Sequence, residues 1–141
     1  MESGGDLDQR LTAALQGVEA EGVVSAYLFG SHAEARAHRE SDVDIGVLLD
    51  RRTLPSTRDR FEAGLRLSSR LQSALATRSV DLVVLNDAPP SLGRHVVRGR
   101  RLVCFDAEAD HALVRDVQLR AADLAPFLER ARRVKLSRLA G

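Results

Sequence analysis

Two aspartates stand two positions apart at the start of an apolar run, in the segment Ser41-Asp42-Val43-Asp44-Ile45. If this run forms a β-strand, successive side chains point to opposite faces, so that Asp42 and Asp44 project from the same face. Two carboxylates so close together repel each other, and both resist burial. A bound divalent cation removes that penalty, and carboxylate oxygens suit Mg²⁺ or Mn²⁺. The pair is therefore a candidate metal site.

A Gly-Ser turn precedes the aspartate pair and follows another apolar run, at Gly30-Ser31. Glycine lets the backbone approach a ligand closely. Ser31 adds a hydroxyl and a backbone N–H, both of which suit a phosphate oxygen at the start of a helix. A phosphate-binding turn beside a carboxylate pair is what metal-assisted nucleotidyl transfer requires.

A third aspartate, Asp81, interrupts an apolar run of valines and leucines between residues 79 and 85. Burying an unpaired carboxylate in such a strand costs several kcal/mol. Placed beside Asp42 and Asp44, Asp81 would be a third carboxylate of the metal site. The alternative is an aspartate at the edge of a strand that faces solvent.

Length and composition predict a single globular domain over residues 1–141, with residues 1–5 disordered. The formal net charge of +1 argues against a strongly basic nucleic-acid-binding protein and gives no sign of membrane-surface binding. No apolar run approaches the roughly 20 residues that span a bilayer. The N-terminus is polar and acidic, unlike a signal peptide, and Cys104 has no second cysteine with which to form an internal disulfide. These features suit the cytoplasm.

Apolar periodicity predicts the elements that position the candidate site. We expect strands at residues 23–29, 42–49, 79–85 and 101–105. We expect helices at about residues 6–21, 57–76, 91–98 and 106–135, with a short helix or loop after the Gly-Ser turn. The second strand consists largely of valines and leucines, which indicates that other elements cover both of its faces, as in an α/β layer fold. A group of basic residues near the fourth strand is interpreted mainly as a solvent-exposed face. The group comprises Arg94, His95, Arg98, Arg100 and Arg101.

These motifs resemble the signature of the nucleotidyltransferase (polymerase-beta-like) superfamily through Gly30-Ser31, Ala33 and residues 41–44. The likeness is greatest to the minimal members, the MNT proteins, which are antitoxins encoded beside HEPN-type toxins. The resemblance includes the flanking strands and extends weakly to the C-terminus. It implies an α/β (α+β) nucleotidyltransferase fold, with a small mixed sheet of about four strands flanked by helices and a long C-terminal helix.

The resemblance also implies roles for individual residues. The catalytic and metal-binding residues would be Asp42, Asp44 and Asp81, with two Mg²⁺ ions possible and ATP as substrate. The nucleotide-binding residues would be Gly30, Ser31, Arg36 and Ser41. The chain departs from the family at Glu34-Ala35, where the family usually has Arg-Gly, and Arg36 or Arg39 are candidates to replace the missing cation.

The activity implied by the resemblance is transfer of AMP from ATP to a hydroxyl. In the MNT antitoxins the acceptor is a tyrosine of the cognate HEPN ribonuclease, which is silenced, so we expect a hetero-oligomer with such a toxin and no direct nucleic-acid binding. The basic segment from Arg94 to Arg101 and the terminal helix are candidate docking surfaces for the partner. One alternative is a catalytically weak antitoxin that inhibits by binding alone, suggested by Glu34-Ala35. The other is nucleotidyl transfer to a small molecule such as an antibiotic, although the chain has no obvious added substrate domain.

Overall fold

A computed structural model describes residues 4–30, 42–76 and 79–140 of the chain. Its helices and strands are, in order, α1 (Gly4–Ala14), β1 (Val23–Phe29), β2 (Val43–Leu49), α2 (Thr57–Ala74), β3 (Val80–Val84), α3 (Pro90–Val97), β4 (Arg100–Cys104) and α4 (Ala107–Ala140). The predicted mixed fold, with four strands and a long C-terminal helix, is confirmed. None of the described helices is both long and apolar enough to cross a membrane.

The four strands form one mixed sheet in the order β3-β2-β1-β4. β1 lies antiparallel to both of its neighbours, β2 and β4, whereas β2 and β3 are parallel. A parallel pair needs a crossover connection rather than a tight hairpin, and α2 supplies it here. As a result, two acidic segments that are far apart in the sequence come to lie on adjacent strands.

α1 and α2 cover one face of the sheet and enclose the larger part of the core. Alternate residues of β2 point into this core and are completely buried, namely Val43, Ile45, Val47 and Leu49. The helices supply leucines at helical spacing, namely Leu7, Leu11 and Leu15 from α1 and its following turn, and Leu67, Leu71 and Leu75 from α2 and its end. Because odd-numbered residues of β2 fill this side, its even-numbered residues, including Asp44, face the opposite side.

The first helix differs from its prediction at both ends. It ends at Ala14 rather than near residue 21, because Gly17 adopts a left-handed backbone with φ of +81° that stops the helix. A 3₁₀ turn, Val18–Glu21, then places the buried Val18 in the core. The helix begins at Gly4, so Gly4 and Gly5, for which the sequence suggested disorder, lie in its first turn.

α3 and α4 cover the second face of the sheet. Gly46 of β2 lets α3 approach closely, because a Cβ at this position would overlap the side chain of Val96. Tyr27 and Phe29 of β1 and Leu48 of β2 form the sheet side of this smaller core. Asp44 lies on the same face of the sheet, two residues before Gly46. It is half-buried and lies outside this smaller core.

A buried polar network fixes α4 to the sheet through Asp110, whose exposed fraction is only 4%. The hydroxyls of Ser25 and Tyr27 donate to Asp110 Oδ1 at 2.5 and 2.7 Å, and Arg101 Nη1 donates to Oδ2 at 3.0 Å. The carboxylate is therefore paired and hydrogen-bonded, as a buried charge must be. This network was not predicted. Its signal in the sequence is that Ser25 and Tyr27 occupy alternate positions of an apolar strand and so share one face.

Tyr27 should make the stability of the protein fall at alkaline pH. Burial raises the pKa of the Tyr27 phenol well above its usual value of about 10, and the hydrogen bond to Asp110 raises it further. Above about pH 10 the unfolded chain therefore binds fewer protons than the folded chain, and the free energy of unfolding decreases as pH rises. Tyr27→Phe should remove this pH dependence. At neutral pH it should lower the free energy of unfolding by about 1 kcal/mol, because the hydrogen bond to Asp110 is lost.

Tyr27 is the single tyrosine of the chain, so ultraviolet absorbance of the phenolate reports on it directly. We expect the phenolate signal to appear together with loss of circular dichroism, because deprotonation accompanies unfolding. Ionisation near pH 10 in a chain that keeps its native circular dichroism would contradict this.

Candidate active site

Asp44 and Asp81 are direct neighbours on the parallel strands β2 and β3, where their Cα atoms pair in register. Side chains of paired residues on adjacent strands project to the same face, here the face covered by α3 and α4. Asp42 lies one residue before β2, and continuing the alternation of that strand would give it the face of Asp44. Asp44 is half-buried, whereas Asp42 and Asp81 are exposed. The strand register therefore brings the positions of the three predicted acids to one end of the sheet.

Gly30 of the Gly-Ser turn lies directly against the end of the sheet that carries the aspartates. Phe29, the last residue of β1, pairs with Asp44, and Gly30 follows it with φ of +75°. A Cβ at Gly30 would overlap the Asp44 carboxylate, with Oδ2 as the nearest atom. The carboxylate thus lies against the backbone of the turn, which only glycine allows. Ser31, Arg36 and Ser41 lie outside the described residues, as do Ala33, Glu34, Ala35 and Arg39.

Gly30→Ala should disturb the site more than it disturbs the fold. Gly17 offers a matched control, because it has a similar φ of +81° and nothing within 4 Å of an added Cβ. Both substitutions should cost about 1 kcal/mol of stability for the left-handed backbone. Only Gly30→Ala should also displace the Asp44 carboxylate and weaken metal-dependent nucleotide binding, as measured by calorimetric titration. Equal loss of nucleotide affinity in both variants would contradict this interpretation of Gly30.

The donor set of the site consists of carboxylate oxygens, which Mg²⁺ and Mn²⁺ prefer. Among residues 4–30, 42–76 and 79–140, no three His, Cys, Asp or Glu side chains converge closely enough to hold a metal ion by themselves. Mg²⁺ commonly takes only one or two protein carboxylates and completes its coordination with waters and substrate phosphates. Asp42 and Asp44 fit that requirement. The metal site built on all three acids stays a prediction.

The last turn of α3 reaches the same end of the sheet. The His95 imidazole packs edge-on against the Phe29 ring, with centroids 5.8 Å apart, and Phe29 is the strand neighbour of Asp44. Two members of the nearby basic group are instead held in ion pairs, Arg100 with Asp8 at 2.8 Å and Arg101 with Asp110 at 3.0 Å. His95, Arg98 and both arginines of β4 are exposed, as expected of a solvated face, but the two arginines also form surface ion pairs.

Comparison with known proteins gives one family match and several similar structures. The family described as "Polymerase beta, Nucleotidyltransferase" matches residues 11–108, a span that contains the Gly-Ser turn and all three aspartates. Among curated proteins, the protein adenylyltransferase MntA of Shewanella oneidensis is 42% identical over 77 residues. That alignment covers 54% of this chain and 50% of MntA, so the chain matches about half the length of that relative.

Two solved structures show the same fold over nearly the whole chain. A crystal structure of a toxin-antitoxin with AMP-PNP has a TM-score of 0.64 at 24% identity and covers 95% of this chain and 98% of its own. The MNT antitoxin in complex with the tri-AMPylated Shewanella oneidensis HEPN toxin has a TM-score of 0.54 at 22% identity, with 98% and 96% covered. The resemblance to minimal nucleotidyltransferases is thereby confirmed. Because the family match extends over most of the chain and includes the whole candidate site, this protein belongs to the polymerase beta nucleotidyltransferase family.

Proposed function

We propose that the chain is a Mg²⁺-dependent nucleotidyltransferase that moves AMP from ATP to a tyrosine hydroxyl of a HEPN-type toxin. In this role it acts as the cytoplasmic antitoxin of that toxin. The observation that carries the proposal is the pairing of Asp44 with Asp81 beside Gly30, in a member of the polymerase beta nucleotidyltransferase family. Support for the acceptor comes from a relative named as a protein adenylyltransferase and from a similar structure that holds an AMPylated toxin.

Asp42 and Asp44 are the residues that would hold Mg²⁺ in this proposal. When bound, the metal supplies positive charge that stabilises the attacking and leaving oxygens. Gly30 has no side chain, so its backbone would leave room for the triphosphate beside the Asp44 carboxylate. These residues bind and orient the nucleotide, and they place its α-phosphate near the exposed carboxylate of Asp81.

Asp81 is assigned the role of general base. It takes the proton of the acceptor hydroxyl as the hydroxyl oxygen forms its bond to the α-phosphorus of ATP. The bond from that phosphorus to the bridging oxygen breaks, and pyrophosphate leaves. Asp81 suits this role because it is exposed to an incoming acceptor and neighbours Asp44 on the adjacent strand.

The competing function is inhibition of the toxin by binding alone. The observation that favours it is Glu34-Ala35, which stands where the family usually has Arg-Gly and so places an acid in the segment expected to meet the triphosphate. An acid there would oppose phosphate binding by like-charge repulsion. The two functions differ in whether neutralised toxin carries AMP.

The deciding experiment mixes the purified chain, the toxin of the neighbouring gene and Mg²⁺ with ATP labelled at either the α- or the γ-phosphate. We expect the toxin to gain label from α-labelled ATP only, to gain the mass of AMP and to lose ribonuclease activity in parallel. Omission of Mg²⁺ should prevent all three changes. Full neutralisation at a one-to-one ratio without added mass would establish inhibition by binding and refute the enzymatic proposal.

A further inference from the structure

An apolar groove of about 460 Å³ runs along β3 at the outer edge of the sheet, and we call it the β3 groove. Phe61 and Leu65 of α2 form one wall, β3 forms the floor with Asp81 and Val83, and Leu92 of α3 lies at the far side. The groove therefore starts on the α2 side of the sheet and ends at the face that carries the candidate active site.

Two large apolar side chains stand open to solvent in this groove. Phe61 is 62% exposed and Leu65 is 57% exposed, and they are one helical turn apart on the surface of α2. A contiguous patch of this kind marks an interaction site more often than a scattered surface residue does. In the described part of the chain, the other comparably exposed large apolar residue is Leu119, at 59% on α4.

The walls of the β3 groove are fixed to each other by contacts within the protein. Arg60 is buried and donates two hydrogen bonds of 2.9 Å to the carboxylate of Asp87, which lies at one end of the groove. Gly64 brings α2 so close to β3 that an added Cβ would lie 3.0 Å from Val84. A preformed groove binds its occupant with less loss of conformational entropy than a mobile one.

The backbone edge of β3 is partly covered. No strand pairs with its outer side in the described part of the chain, but the Val80 N–H donates to Gln72 Oε1 at 3.0 Å. This side chain covers the start of the edge and shortens the stretch on which another strand could pair. Because part of the edge is covered, we assign recognition in the groove mainly to its exposed apolar side chains.

We propose that the β3 groove binds the apolar side chains that flank the acceptor hydroxyl on the protein substrate, and so directs that hydroxyl to Asp81. This inference rests on the proposed function, since it needs a protein acceptor. The groove is continuous with Asp81, so a segment seated in it brings its own hydroxyl to the base. A triphosphate would not fill an apolar groove, because its charges need polar partners. The basic segment from Arg94 to Arg101, the alternative docking surface, has less charge available for a partner because Arg100 and Arg101 already form ion pairs.

The test replaces both exposed residues in one variant, Phe61→Asp with Leu65→Asp, and uses Leu119→Asp as the matched control. All three positions are more than half exposed, and circular dichroism with thermal unfolding verifies the fold. A second variant, Phe61→Ala with Leu65→Ala, removes the apolar contacts without adding charge. Three quantities are measured for each protein, namely affinity for the purified toxin without nucleotide, affinity for Mg²⁺-ATP, and the KM for toxin in AMP transfer.

We expect both groove variants to weaken toxin binding by about tenfold or more and to raise the KM for toxin similarly. Their Mg²⁺-ATP affinity should match that of the wild type. Leu119→Asp lies on the terminal helix, the competing docking surface, and it should change none of the three quantities because docking is assigned to the groove. A loss of toxin affinity in Leu119→Asp as large as that in the groove variants would overturn the inference. Unchanged toxin affinity in the groove variants would overturn the inference. So would a wild-type dimer that dissociates in the groove variants while toxin binding persists. If the wild type transfers no AMP at all, the proposed function fails, but the affinity measurement still decides whether the groove is the docking site.

Discussion

Asp42→Asn combined with Asp44→Asn should abolish Mg²⁺-dependent ATP binding and reduce AMP transfer by at least about a hundredfold. Asp44 lies against the Gly30 turn and beside Asp81, and Asp42 stands two residues before it in the chain. Asparagine keeps the shape of each side chain but removes the negative charge that attracts the metal. The fold should remain intact or gain slightly in stability, because the repulsion between two like charges is relieved.

Asp116→Asn is a suitable control for this double variant, because Asp116 is a partly exposed aspartate on α4 that pairs with Arg120. Its replacement should alter neither ATP affinity nor transfer, and an exposed i,i+4 pair contributes only about 0.3–0.5 kcal/mol. Calorimetric titration with ATP, with and without Mg²⁺, measures the effect. Metal-dependent ATP affinity that survives in the double variant would refute the assignment of Asp42 and Asp44.

Asp81→Asn should separate catalysis from nucleotide binding. The expected result is a loss of about 10²–10⁴-fold in the rate of AMP transfer, the contribution typical of a positioned general base. Mg²⁺-ATP affinity should stay close to the wild-type value, because Asp42 and Asp44 still provide two carboxylates.

Single-turnover transfer and calorimetric titration of the same Asp81→Asn protein provide the two measurements. A fall in ATP affinity as steep as that of the Asp42 and Asp44 double variant would show that Asp81 acts first as a metal ligand. A transfer rate equal to the wild type would remove Asp81 from the mechanism altogether. The β3 groove would still end at this residue, so its docking role is tested independently by the Phe61 and Leu65 variants.

The elements around the site could be predicted from the sequence because their signals are local. Val23–Phe29 is found as predicted, and β2 begins at Val43, one residue after the predicted start. The spacing of Gly30 from the aspartates also follows from the chain itself. The contact between Gly30 and Asp44 depends on the antiparallel pairing of β1 with β2, which neighbouring strands in sequence often adopt.

Longer-range features could not be predicted in the same way. The pairing of Asp44 with Asp81 requires a parallel register across the α2 crossover, and periodicity within either strand does not specify that register. Arg100 is exposed, as the sequence suggests, but its ion pair with Asp8 at 2.8 Å depends on how α1 packs and could not be predicted. In the sequence, Asp110 looks like an ordinary acid in the first turns of α4. Its burial and its hydrogen bonds depend on the packing of that helix against Ser25 and Tyr27.

The position of β3 in the sheet has a consequence for amide hydrogen exchange. β1 and β2 each have a strand on both sides, whereas β3 pairs in the described structure with β2 alone. We expect the amides of β3 to exchange sooner than those of β1, since an edge strand opens at a lower free energy than a central one. Such an opening would separate Asp81 from Asp44, while Asp44 of β2 and Gly30, which follows β1, stay together. If the proposed function is right, we expect the part of the site at Gly30 and Asp44 to exchange slowly, and the amides around Asp81 to gain protection when a protein acceptor binds.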